Sequence, residues 1–201
     1  MKEMNQERLL EVFTELSYLT RIRRTGWILA GVQDPETIAD HCYETAIIAY
    51  FLSKQIDIKV DMGKILTMAL FHEVGEVRLG DFPRRAKKYV KKFKKDAEKA
   101  IMNDVLGDIE KELFPILHEF EECKTVEARL VEAAEELQII FKALVYAKEN
   151  RGDISEYRND VERYDAQGFE IAQKIADVIK LKLGKYLGDK EYWEIGYNEN
   201  N

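Results

Sequence analysis

Apolar residues recur along most of the chain at intervals of three and four, the spacing that lines one face of an α-helix. No segment shows the strict alternation of a half-buried strand, so the pattern predicts an all-α fold. A first helix is expected from about Gln6 to Tyr18, with Leu9, Leu10, Val12, Phe13, Leu16 and Leu19 marking its buried side. Thr20 to Pro35 interrupts the rhythm with arginines, Trp27 and two glycines, and reads as an irregular loop suited to ligand contacts. The plainer alternative is that Trp27 fills the core and the arginines are solvated.

Thr37-Ile38-Ala39-Asp40 is a capping box with Asp in the Glu position, and it is preferred over Asp34-Pro35 as the start of the second helix. It places His41 in the first helical turns, followed by Cys42, Ala46, Ile47, Ala49, Tyr50 and Leu52 toward the core. Asp61 is the expected cap of a third helix running from Met62 to about Val74. Arg84 to Lys95 reads as a solvated basic helix with Ala86, Tyr89, Val90 and Phe93 at helical spacing. Helices from Asp96 to Leu106 and from Ile109 to Glu122 follow, with Pro115 a candidate bend. Thr125 begins a long helix to about Lys148, with Val126, Leu130, Ala134, Leu137, Phe141 and Leu144 on one face. A last helix spans Ser155 to Leu183, with Gly184 as its stop.

With 201 residues, 46% of them hydrophobic and 34% charged, residues 1–188 are expected to form one soluble domain, and residues 189–201 a polar tail. The formal net charge of -7 argues against a nucleic-acid partner and points to a small molecule. The local basic run could still draw anions toward a cleft, although screening limits its reach. Cys42 and Cys123 match no Cys-x-x-Cys spacing, so neither a disulfide framework nor a zinc ribbon is indicated, and a reducing compartment is expected. Met1 to Glu11 lacks the apolar core of a signal peptide, and no run approaches a membrane span. These points predict a cytoplasmic protein without membrane partners. The surplus of apolar helix faces predicts a homodimer.

The densest chemistry lies in His72-Glu73-Val74-Gly75-Glu76-Val77-Arg78-Leu79-Gly80-Asp81, at the end of the apolar run Met68-Ala69-Leu70-Phe71. In a continuous helix His72 and Glu76 lie one turn apart and can point at one position. Glu73 can join only if the helix ends there, and Gly75 is the expected break. The run differs from the zinc-peptidase motif His-Glu-x-x-His because position 76 is Glu.

Together with Ala39-Asp40-His41 upstream and Ala134-Glu135-Glu136-Leu137 downstream, the stretch resembles the HD-domain phosphohydrolases. The resemblance implies a single HD-domain helical bundle in which His41, His72, Glu73 and Glu135 hold a divalent metal. Glu73 and Glu135 stand where that family usually has Asp, and each extra methylene carries the carboxylate about 1.5 Å further from its backbone. Arg24-Thr25-Gly26-Trp27 and Gly80-Asp81-Phe82-Pro83 are similar to the 5'-deoxynucleotidase branch. That likeness implies hydrolysis of (deoxy)nucleoside 5'-monophosphates, with Arg24 near the phosphate and Trp27 near the sugar. Glu76 and Asp81 would handle the water proton and the departing 5'-oxygen, in roles that could be exchanged. Two imidazoles and two carboxylates suit manganese, cobalt, zinc, iron or nickel. The alternatives are another small phosphorylated metabolite or a nucleoside triphosphate as substrate, or a helical domain that binds nucleotides without turnover. His118 has no such company and reads as a surface or structural residue.

Overall fold

A computed structural model of the chain describes residues 5–107 and 111–188, and no strand occurs among them. The helices are α1 (Gln6–Leu16), α2 (Thr25–Leu29), α3 (Ile38–Ser53), α4 (Met62–Phe71), α5 (Glu76–Leu79), α6 (Arg84–Leu106), α7 (Leu113–Glu122), α8 (Val126–Lys148), α9 (Arg158–Arg163) and α10 (Glu170–Tyr186). The all-α expectation holds.

Helix α8 is the axis of the fold and packs against α3, α4, α7 and α10. One apolar stripe would serve one neighbour. Instead Ala128, Leu130, Val131, Ala133, Ala134, Leu137, Ile140 and Ala143 are all buried, so α8 presents apolar surface to several sides. Phe141, expected on the inner face, is 39% exposed. Thr125 caps the helix by accepting from the Ala128 N–H, and Thr37 and Asp40 close the capping box on α3 in both directions. These two helices therefore start where their sequences place them. A second, smaller core joins Val12, Leu19, Ile38, Cys42, Val74, Val77 and Val105.

Several expected boundaries differ, each for a local reason. Helix α1 ends at Leu16 and passes into a 3-10 turn over Ser17–Thr20. Its buried stripe is Leu9, Val12 and Leu16, while Leu10 and Phe13 are 65% and 61% exposed, because the helix lies at the rim and covers the core with one narrow edge. The supposed loop after it contains α2, five residues long and too short to show a periodicity. The basic run and Asp96–Leu106 form one continuous helix, α6. Its inward stripe is Ala86, Val90, Lys94, Glu98, Ile101 and Val105, whereas Tyr89 and Phe93 face outward.

Pro115 falls in the first turn of α7, where no intrahelical N–H is missed and no bend is needed. Ile109, the expected start of that helix, lies outside the described residues, as does the tail over 189–201. The single C-terminal helix is interrupted between α9 and α10, where Gln167 and Gly168 take positive φ values of 51° and 85°. Gly184 is buried inside α10, and the left-handed residue after the helix is Gly188, at φ 76°.

Candidate active site

The site lies where the start of α3, the end of α4 and the middle of α8 meet. Helix α4 ends at Phe71 with His72 as its C-cap, so the chain turns at once and both His72 and Glu73 face the same space. His72 and Glu76 therefore do not share one helix: Glu76 opens α5. Gly75 does not break the helix through a special φ, since its φ is -63°. Its small size matters because a Cβ there would meet the Glu98 side chain at 2.7 Å, so glycine lets α6 come close.

Donor atoms of His41, His72, Glu73 and Glu135 all lie within 4.8 Å of one another. The two imidazole Nε2 atoms approach to 3.3 Å. Their tautomers follow from their other nitrogens. His72 Nδ1 is 2.9 Å from the Ala69 carbonyl, and His41 Nδ1 is 2.7 Å from Gln138 Oε1; both partners are acceptors, so both Nδ1 atoms carry the proton. The Gln138 amide is oriented by its Nε2, which donates to Glu36 Oε2 at 2.7 Å and Glu44 Oε2 at 2.8 Å. Two bare nitrogen lone pairs thus confront each other beside two carboxylates, an arrangement that a cation between them relieves. Burial, with Arg24 and His72 nearby, holds His41 well below the usual imidazole range and so neutral. The residues present fit a divalent metal.

Buried hydrogen bonds and an ion pair back this group. Glu36 receives the Trp27 indole N–H at 2.7 Å and lies 3.5 Å from the Lys142 ammonium, and its own backbone N–H donates to the Tyr146 hydroxyl at 2.8 Å. Trp27 is 2% exposed and stacks on Tyr157 with ring centroids 4.0 Å apart. The buried reading of Trp27 is the one realised: it borders the pocket, but its ring and N–H are engaged by the protein.

Arg24 is tied to the start of α3 by its N–H bond to the Glu36 carbonyl at 3.0 Å, and its guanidinium lies 3.4 Å from Glu73 Oε1. Burial opposes its charge, but Glu73 and Asp81 keep it cationic. Asp81 accepts from the Thr25 N–H, and Thr25 Oγ1 donates to the Asp81 carbonyl at 3.0 Å, so the Arg24-Thr25-Gly26-Trp27 and Gly80-Asp81-Phe82-Pro83 segments are clasped together. Arg24, Glu73, Glu76, Asp81, Lys94 and Glu135 line one pocket of about 80 Å³.

Glu76 is fully buried, with Oε1 2.6 Å from Lys94 Nζ and Oε2 without a hydrogen-bond partner. Burial and the adjacent Glu73 carboxylate push it up to about 9 against the pull of Lys94. Burial also opposes ionisation of Glu73, but His72, Arg24 and Lys94 outweigh it and hold that carboxylate down to about 2. Glu136 instead accepts from the Asp165 N–H at the surface, and His118 is exposed beside Glu122.

Residues 16–176 match the HD domain family. The chain belongs to that family. The 5'-deoxynucleotidase HDDC2 of Dictyostelium discoideum is 37% identical over 150 residues, covering 70% of this chain and 78% of the relative. Its namesake in Xenopus laevis is 30% identical over 142 residues, covering 69% of each. A conserved hypothetical protein from Pyrococcus furiosus has the same fold, with a TM-score of 0.72 and 31% identity over 86% of this chain and 98% of its own.

Three residues of this HD domain's site lie outside the motifs that the sequence marks. Lys94 continues the four-residue spacing of Ala86 and Val90, which marks it as inward-facing. Gln138 follows Glu135 by three, on the same face of α8. Glu36 carries no comparable signal.

Proposed function

We propose that this HD domain hydrolyses deoxynucleoside 5'-monophosphates to nucleoside and phosphate, with a divalent metal held by His41, His72, Glu73 and Glu135. The carrying observation is the convergence of those four donor groups within 4.8 Å, next to a pocket edged by Arg24 and Lys94. The substrate class rests on the relatives named 5'-deoxynucleotidase. When bound, the ion would acidify a water and neutralise charge on phosphoryl oxygens. Manganese, cobalt, zinc, iron or nickel fits the mixed imidazole and carboxylate set.

The chain's own residues divide the remaining work. Arg24, held cationic by Glu73 and Asp81, binds the phosphoryl oxygens. Glu76, turned by Lys94 so that only Oε2 is free of protein partners, takes the proton of the attacking water in its ionised form, which Lys94 favours and a divalent cation nearby would favour further. Asp81, anchored at the Thr25 N–H, assists protonation of the departing 5'-oxygen. The pocket of about 80 Å³ is far below the roughly 300–1,000 Å³ of a typical small-molecule site. It suits the phosphoryl group, with the nucleoside extending from the mouth past the Trp27 segment.

We further propose a single working domain, a cytoplasmic location consistent with the free Cys42 and Cys123, and a homodimer. Support for pairing comes from Tyr43, Ile47, Tyr50 and Phe51, all exposed along α3; Ile47 and Tyr50, expected toward the core, face outward instead. A sedimentation mass of one chain at every concentration would remove the dimer.

The test of activity is a panel of deoxynucleoside and ribonucleoside mono- and triphosphates, monitored separately for phosphate and pyrophosphate. Phosphate from the deoxynucleoside monophosphates is expected. Pyrophosphate from triphosphates would shift the substrate class, and nucleotide binding without either product would make the domain non-catalytic.

A further inference from the structure

Beside the four-donor group lies a second acidic cluster, in which Glu73, Glu76 and Glu98 each place a carboxylate oxygen within 4.8 Å of the others. Glu73 belongs to both groups, as a carboxylate shared by two cations in a two-metal site would. This second cluster already contains a cation. Lys94 Nζ is 2.6 Å from Glu76 Oε1 and 3.0 Å from Glu98 Oε1, and its side chain is 18% exposed.

The approach of α6 is built for this contact. Lys94 and Glu98 are one turn apart on its inward stripe, and Gly75 admits the helix because any Cβ there would meet the Glu98 side chain at 2.7 Å. The same ammonium borders the pocket that Arg24 enters.

We propose that Lys94 is the resident second cation of this site: its ammonium, paired with Glu76 and Glu98 next to Glu73, occupies the acidic cluster beside the metal group, keeps a second divalent ion out, and sets Glu76 with Oε2 free. Enzymes with two metals about 3.5–4 Å apart use the second ion to clamp phosphoryl charge. Here a lysine supplies fixed charge that cannot be lost to a chelator. The inference rests on the proposed metal-dependent hydrolysis.

The test counts bound Mn²⁺ per chain by equilibrium dialysis and elemental analysis for the wild type, Lys94→Arg and Lys94→Ser, with Mn–Mn spin coupling as an independent readout, and measures turnover of the wild type and Lys94→Gln. Circular dichroism would establish that each variant is folded. One ion is expected in the wild type and in Lys94→Arg. Lys94→Ser should take up a second at millimolar Mn²⁺, with the spectrum of a coupled pair. Lys94→Gln should lose about 10²–10³-fold in kcat, with kcat/KM falling in parallel, as when a fixed charge acting on the transition state is removed. A folded Lys94→Ser that stays at one ion, or a wild type that binds two, overturns the role of Lys94 alone. A wild type that binds no metal overturns the hydrolytic reading beneath it.

Discussion

Gln138→Met is the sharpest test of how the histidines are held. Gln138 is fully buried, and its amide makes three side-chain contacts: 2.7 Å to His41 Nδ1, 2.7 Å to Glu36 and 2.8 Å to Glu44. Methionine conserves the length and removes all three. The carboxylates are partly compensated, since Glu36 keeps the Trp27 N–H and both keep Lys142. The main loss falls on the buried His41 N–H, whose desolvation without a partner costs about 1–3 kcal/mol. With the weakened carboxylate bonds, a total of about 2–4 kcal/mol is expected, a sizeable part of the roughly 5–15 kcal/mol that stabilises a domain.

The effect on metal is separate. With no acceptor at Nδ1, His41 can carry its proton on Nε2, the atom that faces His72, and affinity should fall roughly 10–100-fold, as for other lost partners of ligating histidines. Denaturant titration reads the first quantity and calorimetric Mn²⁺ titration the second. Unchanged affinity in a folded, destabilised Gln138→Met would refute the claim that this amide sets the tautomer.

Other outcomes follow from individual contacts. His41→Ala and His72→Ala should each lose the metal, because His118, the remaining histidine, is exposed beside Glu122 and is not part of the donor group; full occupancy in both would exclude them as ligands. Gly75→Ala should cost about 1–3 kcal/mol through overpacking against Glu98 and lower turnover by pushing α6 away, and an unchanged melting temperature would count against that close approach. Tyr164, which donates to the Ala133 carbonyl at 3.1 Å, is pushed above the usual tyrosine range by burial and by Glu136 and Asp165. A raised folded-state value means its contribution is complete below the ordinary value of about 10 and is lost as pH climbs above it. Alkaline melting curves should therefore decline less steeply for Tyr164→Phe, and identical slopes would contradict this.

The parts of the fold that were legible in sequence are those decided locally. Thr37 with Asp40, Asp61 and Thr125 are caps whose hydrogen bonds close within three residues, and all three form. His41, His72, Glu73 and Glu135 could be selected because a family pattern singles them out, and the structure brings them together. What stayed hidden depends on contacts between helices. Lys94 looked like one more solvated lysine until α6 proved continuous and turned it inward. Glu36 acquires its place from Trp27, Gln138 and Lys142, which are remote in sequence. Helix α2 escaped notice because five residues complete little more than one turn.

The most direct measurement is phosphate release from a deoxynucleoside 5'-monophosphate as chelator-stripped protein is titrated with Mn²⁺, with bound metal counted at each point. Turnover is expected to be absent in the stripped protein, to rise in proportion to bound ion and to level off at one per chain. Activity that survives complete stripping, or a fully loaded protein that releases no phosphate from any deoxynucleoside monophosphate, would contradict metal-dependent nucleotide hydrolysis at this site.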